Sequence, residues 1–198
     1  MLGYLERLDH QLFFALNNGL ATPLLAPVLD VLFWLLATVG NGTGILGGAL
    51  LGLWYVDRSA LKRHWGWLIL SVIAGAVVMQ ALKYGIARPR PLITFAAMLA
   101  AGEGYIHVVG EALQYRSFPS GHTQAAASVC TYLWFLYPRH AVWWGMGIAL
   151  AALGRIYVGA HFPADVLAGA CLGSLSAWVA VASQRRWSRR HGAGTNRC

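Results

Sequence analysis

The sequence predicts an all-α membrane protein: a six-helix transmembrane bundle with an N-terminal amphipathic helix and one long outer loop between spans 3 and 4. Three observations carry this reading. Apolar residues make up 58% of the 198-residue chain. Charged residues make up 11%, against about 25% in an ordinary soluble domain. The apolar residues also gather into six runs. A bilayer-crossing helix takes roughly 20 mostly apolar residues, so the apolar share supplies five or six such helices and little else. Residues 1–198 therefore read as a single membrane-embedded domain.

The elements follow in chain order. Residues 1–22 set Glu6, Arg7, Asp9 and His10 among Leu2, Leu5, Leu8, Leu12, Phe13 and Phe14, the pattern of a helix lying on a membrane surface. The segment has neither a basic leader nor a cleavage site, so it does not read as a signal peptide. The first span is 24–39, with Asp30 inside it. Asn41-Gly42-Thr43-Gly44 reads as a tight turn. The second span is 44–56, and Asp57 to His64 reads as a polar loop holding Arg58, Lys62 and Arg63. The third span, 65–86, opens with Trp65 and Trp67, residues suited to the interface. Residues 88–119 form the long outer loop. Pro89 and Pro91 should end the preceding helix, and Phe95, Met98, Leu99, Tyr105 and Ile106 are expected to dip into the interface. The fourth span is 121–137 and the fifth 142–158. The sixth is 164–183, followed by a basic tail over 184–198. Glycines in several spans (Gly47, Gly48, Gly147, Gly154, Gly169, Gly173) allow close helix packing in lipid.

The formal charge is +8. A basic balance suits nucleic acid, a membrane surface or an anionic substrate. With no soluble face to carry the charge, nucleic acid is set aside. Arg7, Arg58, Lys62, Arg63, Arg139 and the tail arginines outnumber Lys83, Arg88, Arg90, Arg116 and Arg155, so the first group marks the cytoplasmic side. Both termini then lie in the cytoplasm and loop 88–119 faces out. Cys130, Cys171 and Cys198 are far apart, which argues against a disulfide framework or a zinc site. No acidic cluster suits Mg²⁺, and no cofactor is expected.

Ionisable residues in such a chain are costly and usually functional. Here they form three groups on the outward side. Lys83, Arg88 and Arg90 close the third span; Lys83 and Arg90 are two helical turns apart and share a face, whereas Arg88 would point elsewhere. Pro119-Ser120-Gly121-His122 opens the fourth, where Ser120 can cap a helix whose free N–H groups favour an anion. Arg155, His161 and Asp165 straddle the fifth and sixth, and the four-residue spacing sets a carboxylate one turn from a histidine. Converging cations and histidines read as a phosphate pocket. Each residue alone has a bland reading: a structural histidine, a snorkelling arginine, a turn. Asp30 reads as a structural contact rather than a partner for a site cation, and Glu103, His107 and Glu111 as solvated loop residues. The three groups occurring together, in order, outweigh these.

With these residues the chain resembles the type 2 phosphatidic acid phosphatase family of membrane lipid phosphatases, whose motifs are K-x6-R-P, P-S-G-H and S-R-x5-H-x3-D. They read here as Lys83 to Arg90-Pro91, Pro119 to His122, and Gly154-Arg155 to His161 and Asp165, with Gly154 replacing the serine. The resemblance implies a metal-independent phosphohydrolase. His161 would attack phosphorus and become a phosphohistidine. Asp165 would orient it, and His122 would serve the leaving oxygen and then water. Lys83, Arg90, Ser120, Gly121 and Arg155 would hold the phosphoryl oxygens. It further implies a bacterial inner-membrane enzyme whose lipid phosphate substrate enters from the bilayer. The reading leans to undecaprenyl diphosphate over phosphatidate, phosphatidylglycerophosphate or lipid A 1-phosphate. Vanadium haloperoxidases share the motifs but are soluble, so vanadate is expected as an inhibitor. The rival readings are a lipid phosphotransferase, a transporter and a lipid-phosphate-binding scaffold.

Overall fold

The computed structural model of the protein describes residues 2–192. Cys198 and the end of the basic tail lie outside the described residues. Regular structure among these residues is helical: α1 (Leu2–Leu20), α2 (Ala26–Val39), α3 (Gly42–Val56), α4 (Arg58–Ile86), α5 (Pro91–Thr94), α6 (Ala96–Ala100), α7 (Gly121–Leu136), α8 (Ala141–Tyr157) and α9 (Pro163–Gly192).

Local chemistry sets the boundaries. The Asn41 side chain accepts from Gly44 N at 2.9 Å, so the expected glycine turn is the first turn of α3. Asp57 caps α4 by accepting from Ala60 N at 2.9 Å. The polar stretch to His64 is therefore helix, and only Asp57 forms the connection. α4 stops at Ile86, where Ala87 turns left-handed (φ 49°) ahead of the two prolines. Pro91 opens α5 and Pro163 opens α9, positions where no backbone donor is missed.

α7 is the central helix and α9 lies closest against it. Gly169 faces the Ser120 carbonyl, and Gly173 faces the backbone from Gln124 to Ser128. Ser128 and Ser176, and Thr131 and Ser174, pair across the seam at 3.0 Å. This is the small-residue, hydroxyl-bridged packing that lipid favours. Leu53, Leu68, Val129, Tyr132 and Leu133 fill one end of the bundle. At that end Tyr132 donates to Gln184 at 2.8 Å and Tyr137 to Asp57 at 3.0 Å. The other end gathers the C-termini of α4 and α8 and the N-termini of α7 and α9.

Two stretches, Arg58–Ala100 and Pro163–His191, are long and apolar enough to cross a membrane; α2 and α3 qualify only as a pair bent by 83°. At 14 residues, α2 reaches about 21 Å against roughly 30 Å of hydrocarbon. It lies across the second end. Asp30 accepts from the Tyr157 hydroxyl at 2.6 Å and sits 2.7 Å from His107 Nε2, while the Ala37 carbonyl sits 3.0 Å from His122 Nε2.

α1 lies at the same end. The buried Asn17 amide donates to the carbonyls of His107, Ile156 and Tyr157 at 2.9, 3.1 and 2.7 Å. α9 instead finishes at the opposite end, where Gln184 donates to the Arg63 carbonyl at 2.8 Å. The described chain thus starts and finishes at opposite ends. The sequence reading sets both termini on one side; in the structure α2 turns 83° into α3 instead of running on as a separate straight span. Three further readings change. His107 is the partner of Asp30, not a solvated loop residue. Phe95, half-buried, joins a cluster with Phe13, Phe14 and Phe162, and Ile106 is buried beside it. Arg7, on α1, belongs to the second end.

Candidate active site

The connection from α8 to α9 carries the densest chemistry. α8 ends at Tyr157, and Gly159 (φ 72°) turns the chain. A side chain there would also meet the His107 carbonyl at 2.8 Å. The backbone N–H groups of Ala160 and His161 fold back onto the Arg155 carbonyl at 3.1 and 3.2 Å, which sets the His161 ring in the interior, 2% exposed. Asp165 is the third residue of α9. Its Oδ2 reaches back to accept from Phe162 N at 2.8 Å, closing a box at the helix start. The same oxygen lies 3.6 Å from His161 Nδ1. Burial, followed by the charges of Arg90 and Arg155, lowers the His161 pKa to about 3 against the pull of Asp165. The free ring is therefore neutral at pH 7 and keeps a lone pair available.

The second motif sits against the third. Ser120 N donates to the Asp165 carbonyl at 2.9 Å. Ser120 takes the cap position of α7, but its hydroxyl accepts from Thr123 Oγ1 at 3.1 Å and caps no backbone group, contrary to expectation. Its own proton remains available. The N–H groups from Gly121 onward point out of the helix start unpaired by the helix. The carbonyl oxygen of Ala37 only accepts, so His122 carries its proton on Nε2.

The cations close the site. Arg90 donates through Nε to the Tyr115 carbonyl at 2.8 Å and through a terminal nitrogen to the Ala160 carbonyl at 2.9 Å. That same nitrogen lies 3.3 Å from His161 Nε2. Because α4 ends at Ile86, Lys83 and Arg90 do not share a helix face. Arg90 returns from the loop beyond the helix, and both remain within Coulombic reach of each other, of Arg155 and of Asp165. His122 in turn feels Arg155, Lys83 and Arg90. Arg155 is 7% exposed, and its Nε is buried with no partner among the described residues. A buried cation left without an anion is costly.

Sequence reasoning set Arg88 aside, and the structure corrects this. Arg88 donates 2.7 Å to Asp165 Oδ1 and 2.7 Å to Asp9 Oδ2. The signal available was a cation in the same Arg-Pro-Arg-Pro run with no partner nearby in sequence. Asp9, buried on α1, had no such signal. Counting Lys83, Arg88, Arg90 and Arg155 against Asp9 and Asp165 leaves two positive charges over, the complement of a phosphate dianion.

A cavity of about 220 Å³ opens beside His122 and Arg155. Its other walls are apolar, among them Phe33, Leu36, Ile45, Ala126, Cys130 and Leu150. Gly154 also lines it, with Phe33 packed where a side chain would stand.

The chain is similar to several known proteins. A lipid A 1-phosphatase of Rhizobium johnstonii is 28% identical over 154 residues, covering 70% of this chain and 54% of the relative. The undecaprenyl-diphosphatase BcrC of Bacillus subtilis is 27% identical over 120 residues, 60% of this chain and 56% of the relative. The chain thus spans about half the length of the curated relatives it matches. The crystal structure of Aquifex aeolicus LpxE superposes with a TM-score of 0.72 at 30% identity, over 88% of this chain and 95% of that one. Residues 64–189, which hold all three motifs, match the PAP2 superfamily. With well over half its length and every motif inside that match, the chain belongs to the PAP2 superfamily.

Proposed function

We propose that the protein is an integral-membrane, metal-independent lipid phosphatase that works through a phosphohistidine at His161, and that its substrate is an isoprenyl diphosphate such as undecaprenyl diphosphate. The observation that carries the phosphatase reading is the buried, unpartnered Arg155 beside Arg90, Lys83 and a neutral His161. A phosphoryl group supplies the missing anion, and fixed cations neutralise the charge that spreads over its oxygens during transfer.

His161 Nε2 forms a bond to phosphorus as the bond to the leaving oxygen breaks. His122, holding a second proton on Nδ1 while its Nε2–H stays on the Ala37 carbonyl, passes the Nδ1 proton to that oxygen. A water then loses a proton to His122 and attacks phosphorus, the N–P bond breaks, and phosphate leaves. Asp165 holds His161 and offsets the positive ring. Ser120 and the Gly121 N–H join Lys83, Arg90 and Arg155 around the phosphoryl oxygens.

The cavity favours an isoprenyl phosphate as the leaving group, with its hydrocarbon chain along the apolar wall. The wall beside His122 is hydrocarbon, and burying hydroxyls there without partners is costly. A glucosamine, which carries the 1-phosphate of lipid A, would bring such hydroxyls. The relatives named as lipid A 1-phosphatases and the Aquifex aeolicus LpxE structure keep lipid A as the second reading.

The domain is one membrane unit lying in a bacterial inner membrane. α4 and α9 cross it, the shorter α3, α7 and α8 pack beside them, and α1 and α2 lie at the site end. The end rich in Arg58, Lys62, Arg63, Arg139, Arg185 and Arg186 faces the cytoplasm by the positive-inside bias. The site faces out, and the lipid arrives from the bilayer.

The test is phosphate release by purified protein in detergent with EDTA present. The panel is undecaprenyl diphosphate, phosphatidate, phosphatidylglycerophosphate and lipid A, with His161→Ala as control. Release from undecaprenyl diphosphate that vanishes in the variant supports the proposal. Fastest release from lipid A overturns the substrate, and loss of activity in EDTA overturns the metal-free mechanism. No release until an acceptor lipid is added identifies a phosphotransferase.

A further inference from the structure

We infer that α1 is part of the catalytic apparatus, with Asp9 and Arg88 acting as positioning residues that hold and electrically balance the carboxylate behind His161. The inference rests on the reading of His161 as the nucleophile.

The geometry is a chain of four side chains. Arg88 offers its two terminal nitrogens to different carboxylates, each at 2.7 Å, from Asp9 on α1 and Asp165 on α9. Its guanidinium lies 4.2 Å over the Phe162 ring, which fixes the plane of the fork. Asp165 is completely buried, and both of its oxygens are engaged, one by Arg88 and one by Phe162 N. Its carboxylate cannot rotate, and the oxygen bonded to Phe162 is the one that faces His161. Asp9 is held in turn. Its second oxygen accepts from Ala164 N at 2.8 Å, so α1 supplies an anion to the first turn of α9. Asn17, two turns further along α1, pins the same helix to the end of α8.

The charges explain why two carboxylates are present. Arg88 paired with Asp165 alone would cancel the charge that Asp165 must direct at a phosphohistidine ring. Asp9 adds a second negative charge, so the trio carries one net negative charge. Arg88 then serves as a hydrogen-bond donor while Asp165 keeps its field. A helix placed merely for packing has no need to insert an acid beside the only arginine bonded to Asp165 among the described residues.

The test uses the full chain in detergent, with farnesyl diphosphate and a short-chain phosphatidate as probes. Asp9→Asn keeps the shape and the acceptor for Ala164 but removes the charge. It is expected to lower kcat about 10-fold or more, the loss seen when a group behind a site ligand is removed, with little change in KM. Rapid-quench trapping should show phosphoenzyme formation slowed in proportion. Asp9→Glu should recover most of the rate. Arg88→Gln frees Asp165 Oδ1 and should also lower kcat, and the double variant, which again leaves one net negative charge behind His161, should lose less than the sum of the two single losses. A folded Asp9→Asn protein with unchanged kcat overturns the inference, as does a lowered melting temperature with phosphoenzyme formation unchanged. If Asp9→Asn fails to fold, Arg88→Gln and Asp9→Glu carry the same comparison. Activity remaining in His161→Ala would instead break the underlying mechanism; an inert His161→Ala beside a full-speed Asp9→Asn breaks only the relay.

Discussion

Restoring the serine of the third motif by Gly154→Ser should harm this protein. A β-carbon on Gly154 would stand 2.7 Å from Cδ1, 3.2 Å from Cε1 and 3.6 Å from Cγ of Phe33. Carbon atoms in contact prefer about 3.5–4.0 Å, so the ring must retreat by roughly 1 Å. It has little freedom, being 3% exposed and packed on Tyr157 with centroids 4.8 Å apart. Overpacking of this kind costs about 1–3 kcal/mol. For a chain near 200 residues that is a fall in Tm of about 2–12 °C. The ring also lines the cavity beside His122, so turnover should fall with stability. The assay is thermal unfolding in detergent of Gly154→Ser, Phe33→Ala and the double variant. The double variant should lose less than the sum of the two single losses, because the smaller residue makes room for the serine. A Gly154→Ser protein as stable and active as the parent, or strictly additive losses, would refute the reasoning.

Three further predictions concern the scaffold. A β-carbon on Gly173 would lie 2.7 Å from Ala127 Cβ and 2.8 Å from Ser128 N. Gly173→Ala should therefore push α9 from α7 and lower Tm, whereas Gly47→Ala, which meets nothing, should be neutral; equal Tm values would discredit the close-packed seam. Asn17→Ala strands the Ile156 and Tyr157 carbonyls at the end of α8 and the His107 carbonyl and should cost about 1–3 kcal/mol or more, with faster amide exchange in α1; unchanged exchange would show that α1 is held some other way. His161 has a folded pKa near 3, below its ordinary 6.5. The unfolded chain then binds a proton that the folded one refuses, so stability falls as pH drops from about 6.5 towards 3. His161→Asn should flatten that slope in unfolding measured from pH 7 to 4, and an unaltered slope would remove His161 from the linkage.

Much of the site was legible in the chain. Cations and histidines that do not belong in lipid stand out against an apolar background, and their spacings are fixed along the backbone. Lys83, Arg90, Ser120, His122, Arg155, His161 and Asp165 therefore declared themselves. α3, α7, α8, α9 and most of α4 were equally legible, because apolar runs bounded by Gly, Pro and capping residues leave few alternatives, whereas α5, α6 and the first turns of α4 fall in stretches that read as loop. Three things needed the tertiary structure. Arg88 is bound by Asp9 from 79 residues away, a distance over which no periodicity carries information. The hydroxyl of Ser120 was drawn from its expected cap by Thr123. The side on which α1 and α2 lie depended on an 83° bend and on the contacts of Asn17, Asp30 and Ala37. Composition determines that a segment prefers lipid and local spacing determines which side chains share a turn, but the partner of a charge and the path of a short helix are decided only when distant segments pack.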